Sequence, residues 1–444
     1  MKTPVCDFVD SYVKNESARL HMPGHKGVGG VNAYDITEVY GADVLAFPNG
    51  IIRESEENAA KLFGAAATLY STEGSTASIK TMLALALLYA RKKGKKQLVL
   101  AARNVHRAFV DAAALLDFGV EWLSGEGELI SITVTAETLE KKLESLTEPP
   151  VAFYVTSPDY LGNVADIAGL SKVCKKYGVL LLVDNAHGAY LKFLKPDIHP
   201  ITLGADMCAD SAHKSLPCLT GGSYLHVNNA VNRVIGGDFG KMQALFNSTS
   251  PSWLVIYSLD KLNAVLFDGY TEKLSAFVTK IEELKRKLTS YGYTLVGNEP
   301  LKITLSCKNY GYTGEEIAAV LRKNSIEVEF FDDDYLVAMF STENTDEQLK
   351  LTENALLSIT RKSRITTLPP PSYIPKRAVS IREATFALSD ELPVDRVIGR
   401  VFASSALSCP PAIPIITAGE VIDEEVLKAF KYYGVKNCRV TIKE

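Results

Sequence analysis

Three almost unbroken apolar runs constrain this chain more than any other feature: QLVLAA at 97–102, VAFYVTSP at 151–158 and GVLLLVDNAHG at 178–188. A strand with one wet face alternates apolar and polar residues, whereas a strand apolar throughout is buried on both faces. Segments with helical spacing at 107–118 and 167–177 lie between the runs and supply covers for both faces. Gly and Pro bound the runs, and ADMCADSAHK and GGSYLHV add short strands further on. The pattern predicts an α/β fold built on a mostly parallel sheet.

Around that sheet the chain divides into four parts. Residues 1–50 read as an N-terminal arm, with a short amphipathic helix at 7–20 followed by HMPGHKGVGG. Residues 51–255 read as the large domain, with a helix at 52–63 and an apolar helix at 79–92 entered through the turn STEGSTAS. Residues 256–365 read as a smaller α+β domain that follows a long charged helix at 253–288. TTLPPPSYIP at 366–375 is a linker, because consecutive prolines continue neither a helix nor a central strand, and 366–444 forms a last segment.

Charge and composition exclude several classes. With 48 Lys+Arg against 52 Asp+Glu, no basic excess is available to neutralise a phosphate backbone, so nucleic-acid binding is not expected. The longest apolar run, MLALALLYA at 82–90, is too short to span a bilayer, and the first twenty residues hold no apolar core of signal-peptide length. The 7 cysteines are odd in number, scattered and never spaced CxxC, which argues against a disulfide framework or a zinc ribbon. His21 and His25 have the spacing of a helical metal pair, but Pro23 and Gly24 between them prevent the helix, so no metal site is expected. A cytoplasmic protein with no membrane partner is the resulting expectation.

In an open α/β sheet, ligands bind at the carboxyl ends of the strands, and four such ends carry chemistry. Glu73-Gly74-Ser75-Thr76 opens a helix, where exposed N–H groups and two hydroxyls make a cup for a phosphate; alone, such residues more often serve as an ordinary N-cap. His106 follows QLVLAA, a place usually held by a packed or capping residue. Asp184 ends GVLLLV, with His187 in the same loop; a carboxylate there is costly to bury without a positive partner, the alternative being a helix cap. Lys214, in Asp210-Ser211-Ala212-His213-Lys214, sits among small residues, where a desolvated amine would be a Schiff-base former; taken alone, the default for such a lysine is a solvated surface position. Together these are a phosphate cup, a group to stack on a ring, a carboxylate for a pyridine nitrogen and an amine, the four requirements of pyridoxal 5′-phosphate (PLP). Their chain order is that expected for the aspartate-aminotransferase-like fold, with a P-loop and GxGxxG both lacking.

At this level of detail the chain resembles the PLP-dependent ornithine/lysine/arginine decarboxylases of bacteria, in their short form without a wing domain. Arg19-Leu20-His21-Met22-Pro23-Gly24-His25-Lys26-Gly27, Asp35-Ile36-Thr37-Glu38, Ile51-Ile52-Arg53-Glu54-Ser55-Glu56, Ser211 to Leu216, Ser248-Thr249-Ser250-Pro251-Ser252 and Pro410-Pro411-Ala412-Ile413-Pro414 through Gly419-Glu420 carry the resemblance. It implies a fold type I PLP enzyme that removes the α-carboxylate of a basic L-amino acid, arginine before lysine or ornithine, to give agmatine or a diamine for polyamine metabolism. It implies that Lys214 holds PLP as a Schiff base, Asp184 pairs with the ring nitrogen and His106 stacks on the ring. Ser75, Thr76 and Ser211 would take the phosphate, with Thr249 reaching in from the other subunit of a homodimer or larger assembly. His213 would contact the phosphate or deliver a proton, and His187 would line the cofactor. Glu420, and less strongly Asp43, are the candidates for the cationic end of the substrate, each read equally well as a solvated or capping acid.

The chain departs from the family pattern at Asn185, Tyr190, Gly221, Cys409, Ala412 and Ala418, none of which holds PLP in that pattern. An aminotransferase or lyase on the same scaffold is the alternative enzyme, because fold and cofactor do not fix which bond at Cα breaks. A non-catalytic PLP-binding homologue is the alternative outside enzymes.

Overall fold

The computed structural model describes residues 1–409 and 413–442, so the Pro410-Pro411-Ala412 part of the closing motif lies outside the described residues. Seven strands form the main sheet: β1 (Ala67–Ser71), β2 (Leu98–Ala102), β3 (Gly119–Leu123), β4 (Ala152–Thr156), β5 (Leu180–Asp184), β6 (Met207–Asp210) and β7 (Ser223–Val227). Their order is β1-β7-β6-β5-β4-β2-β3. The three apolar runs of the sequence become β2, β4 and β5, each shorter than its run because the run ends turn away into loops.

The chain forms two compact units. The first comprises residues 1–97, 150–153 and 174–275. Here β5 and β6 are parallel, while β7 is antiparallel to both β6 and β1, which brings its start beside the carboxyl ends of those two strands. Helix α1 (Pro4–Lys14) begins on Asp260, whose Oδ2 accepts the N–H groups of Val5 and Cys6, both at 2.9 Å. Helix α2 (Ile51–Phe63) buries Ile52, Ala59 and Phe63 and stops at Gly64 in the left-handed conformation. Helix α3 (Gly74–Lys93) is apolar nearly all round, as a helix enclosed by its neighbours must be, and packs on β6 and β7.

As the reading of Glu73-Gly74-Ser75-Thr76 as a helix opening expects, Gly74-Ser75-Thr76 form the first turn of α3, ahead of its apolar stretch from 79. That placement decides the site, because first-turn N–H groups have no partner within the helix. The helical stretch at 253–288 is two helices, Trp253–Phe267 and Tyr270–Tyr291. They part at Asp268-Gly269, where Gly269 takes φ +73°, a conformation that ends a helix and that side chains disfavour.

The second unit comprises residues 98–149, 154–173 and 276–444. It pairs β2 with β3 in parallel and carries helix α4 (Arg107–Leu116). A four-stranded antiparallel sheet is built from Leu295–Val296, Lys302–Ser306, Tyr335–Met339 and Phe330–Phe331, in that order. Helices Gly314–Lys323 and Asp346–Leu357 each start on a capping box, Thr313 with Glu316 and Thr345 with Gln348. Nearer the C-terminus, Phe402, Ile416, Val426 and Phe430 centre a separate apolar core. Among the described residues no helix is long and apolar enough to cross a membrane.

Candidate active site

In the first unit four loops meet at the carboxyl ends of β1, β5 and β6. The loop after β1 and the entry to β7 touch through Gly74 N–H to Gly221 O at 2.9 Å. Gly221 has φ +97°, and a Cβ there would lie 2.5 Å from Thr72 O. This departure from the family pattern is therefore a backbone requirement of the turn as it stands here. Ser211 Oγ donates to Ser75 Oγ at 2.7 Å, which joins the loop after β6 to the first turn of α3. Ser75 is half-buried and Thr76 exposed, both at the positive end of a twenty-residue helix.

Lys214 and His187 face each other from neighbouring strand ends, with Nζ 3.0 Å from His187 Nε2. The two groups lie within hydrogen-bond distance, the donor being set by the tautomer of the ring. Asp184, 1% exposed, closes β5 and accepts the N–H of Ala186 at 3.2 Å on Oδ1. His213 turns its Nδ1 to Gly222 O at 2.9 Å. A carbonyl only accepts, so Nδ1 carries a proton and donates it to Gly222 O. Thr249 is exposed on the loop before the Trp253–Phe267 helix.

In the second unit His106 is the N-cap of α4, its Nδ1 accepting the N–H of Ala108 at 3.1 Å. The capping alternative is thus realised, and the half-buried ring is held in one orientation by it.

The two acids considered for the cationic end of the substrate both contact groups of the protein itself. Glu420 is fully buried and ion-paired with Arg103, Oε2 to Nη2 at 3.1 Å, while accepting Thr417 N–H at 2.7 Å. Arg103, also fully buried, donates to the carbonyls of Pro414 and Ile415 at 3.2 Å and lies over the Trp122 ring. Turning Glu420 to a substrate cation would strand a buried guanidinium, at about 3–5 kcal/mol. Asp43 is a loop organiser: its carboxylate accepts the N–H groups of Val44, Asn49, Gly50, Ile52 and Arg53. The Asp43 carboxylate is thus taken up by backbone N–H groups, whereas Glu420 is engaged through Oε2 and its Oε1 has no hydrogen-bond partner among the described residues.

Of the other departures, Asn185 is fully buried with its amide on Asp210 Oδ1 at 2.8 Å, and Tyr190 and Ala418 are fully buried. The Cys409 side chain and Ala412 fall outside the described residues. Sequence reasoning assigned no role to Arg103, Asp210, His199 or His226; only the position of Asp210, one residue before Ser211, hinted at one.

PLP fits these residues by their donor set. Lys214 offers an amine beside the His187 imidazole, Asp184 a buried carboxylate of the kind that suits a protonated ring nitrogen, and the start of α3 hydroxyls and N–H groups for a phosphate.

The sheet and its connections are those of the fold type I PLP enzymes. The solved structure of the Francisella novicida lysine decarboxylase LdcF matches with TM-score 0.80 at 16% identity, covering 99% of this chain and 81% of that one. The constitutive lysine decarboxylase of E. coli matches with TM-score 0.78 at 17% identity, over 99% and 82%. The family model of the Orn/Lys/Arg decarboxylase major domain matches residues 3–295, and that of the C-terminal domain residues 360–437. The chain belongs to the Orn/Lys/Arg decarboxylase family. It is also 28% identical over 461 aligned residues to the arginine decarboxylase of Halalkalibacterium halodurans, covering 96% of this chain and 92% of that protein. A Bacillus subtilis arginine decarboxylase is likewise 28% identical, over the same shares of each chain.

Proposed function

We propose that the protein is a PLP-dependent decarboxylase of basic L-amino acids with arginine as its preferred substrate, releasing CO2 and agmatine. One observation carries the reading: Ser75, Asp184, His187, Ser211 and Lys214 are gathered at one end of the sheet in a chain of this family. The preference for arginine rests on the full-length likeness to proteins named arginine decarboxylases.

Lys214 would hold the cofactor through Nζ, Asp184 its ring nitrogen, and Ser75, Thr76 and Ser211 its phosphate, with His106 on the ring face. When bound, PLP supplies an electron sink for the pair left on Cα as CO2 departs. Asp184, buried at the end of β5, would pair with the ring nitrogen and favour its protonated form, which keeps that sink open. His187, 3.0 Å from Nζ, would hold or return a proton at that atom. His213, oriented by Gly222 O, presents Nε2 for a phosphate contact or a proton.

The assembly is proposed to be a homodimer or larger. In support, the N-terminal arm exposes Leu20, Met22, Val28, Val31, Tyr40 and Phe47, more apolar surface than a lone subunit ordinarily leaves in water. Thr249, exposed on its loop, would then serve the phosphate of the partner subunit. The four-part division at 50, 255 and 365 stands as part of this proposal, as does a cytoplasmic location.

The test is to offer arginine, lysine and ornithine separately to PLP-loaded protein and identify the products by mass. Agmatine in excess of cadaverine and putrescine supports the reading. A keto acid without CO2 would move the chain to the aminotransferase alternative, and a diamine alone would move the preference from arginine.

A further inference from the structure

Beneath the cofactor loops of the first unit lies a fully buried polar cluster that the proposed chemistry does not use. Asp210, the last residue of β6, accepts His199 Nε2 on Oδ2 at 2.9 Å and Asn185 Nδ2 on Oδ1 at 2.8 Å. Cys208 Sγ donates to Oδ1 at 3.2 Å, and His226 Nε2 lies 3.3 Å from Oδ2. Asp210, Asn185, His199, Cys208 and His226 are each 0% exposed. His199 Nδ1 accepts the N–H of Ile201 at 3.4 Å, so its proton sits on Nε2, toward Asp210. His226 Nδ1 meets Thr68 Oγ1 at 2.8 Å on the far side. Burial alone would raise the Asp210 carboxyl, but the two histidines hold it well below the usual carboxylate range, while burial pushes His226 down.

A buried carboxylate is seldom the most stable filling for a core; apolar residues of equal volume often serve as well or better. Its position explains its use. Asp210 immediately precedes Ser211, which bonds Ser75, and stands four residues before Lys214. Its other oxygen grips Asn185, the neighbour of Asp184, whose own N–H goes to Ala209 O at 2.9 Å. One carboxylate thus ties the loop that carries Lys214 and Ser211 to the loop that carries Asp184.

We propose that Asp210, held by His199 and His226 and bonded to Asn185, is a positioning residue that sets the spacing between Asp184 and the Ser211–Lys214 loop. It touches no cofactor atom and acts through its neighbours. The inference rests on the reading that Asp184 and Lys214 hold PLP.

The test uses the full chain, stripped of cofactor and titrated with PLP. The readouts are the dissociation constant and the induced circular dichroism of the visible band, which reports how the bound ring is oriented. Asp210→Asn places an amide where donors converge. It is expected to weaken PLP binding by about tenfold or more and to change the dichroism per bound PLP. Asn185→Ala, which removes only the tie, is expected to act in the same direction and carries the test if Asp210→Asn does not fold. Thr68→Ala, at the far side of His226, is expected to lower Tm while leaving both readouts as in wild type. Folded Asp210→Asn or Asn185→Ala protein with wild-type affinity and wild-type dichroism would overturn the inference. Wild-type protein that took up no PLP would instead overturn the cofactor reading beneath it.

Discussion

Asp184 and Glu56 are both buried carboxyl groups set in different surroundings. Asp184 ends β5 at the mouth of the site, where in the proposed function it pairs with the ring nitrogen of the cofactor. Asp184→Asn should keep bound PLP but lower turnover by orders of magnitude, because a neutral amide no longer holds the nitrogen protonated. Wild-type kcat in that variant would remove Asp184 from the role. In Glu56, Oε1 accepts Tyr70 N–H at 2.8 Å, Oε2 has no hydrogen-bond partner among the described residues, and the nearby Arg53 only partly offsets the burial. Burial pushes it up to about 8 from an ordinary 4.5. Between those values the folded chain keeps a proton that the unfolded chain has released, so stability falls as pH rises through the window. Glu56→Gln keeps the acceptor for Tyr70 and cannot ionise. Its Tm relative to wild type should therefore climb steadily between pH 5 and pH 8, in thermal melts across that range. A difference independent of pH would show that Glu56 is ionised in the fold.

At the scale of elements, the sheet was legible because apolar runs report burial on both faces, and β2, β4 and β5 lie within the runs that announce them. The break at Asp268-Gly269 was hidden because the charged pattern continues across it, and one glycine in a helical pattern is a weak signal. Of the candidate site, Lys214, Asp184 and the start of α3 were legible because each sits at a strand end next to its own motif. The Arg103–Glu420 and Asp210–His226 pairs were not: the first joins residues 317 apart, and the second depends on β7 pairing with β6. Arg103–Glu420 anchors the segment around Pro414 and Thr417 to the end of β2, three residues before His106. Arg103→Met leaves Glu420 buried and unpaired and should cost about 3–5 kcal/mol in denaturant unfolding. Arg103→Met with Glu420→Leu should recover part of that loss, since replacing both charges is cheaper than stranding one. A double variant less stable than the single would contradict the pairing.

For the whole molecule, the exposed apolar arm is the feature that a lone subunit explains least. Light scattering should give at least twice the 48.4 kDa mass of one chain. Paired Leu20→Ser and Phe47→Ser substitutions on the arm should shift the population toward the monomer and lower PLP retention, as a phosphate site completed by Thr249 of a second copy requires. Monodisperse monomer with full activity would dismiss the shared site. The account as a whole turns on one reaction at one lysine. The most direct measurement is release of labelled CO2 from carboxyl-labelled L-arginine by PLP-loaded wild-type protein and Lys214→Ala side by side. The account predicts steady release from the wild type and none above background from the variant; equal release from both, or none from a wild type that holds PLP, would contradict it.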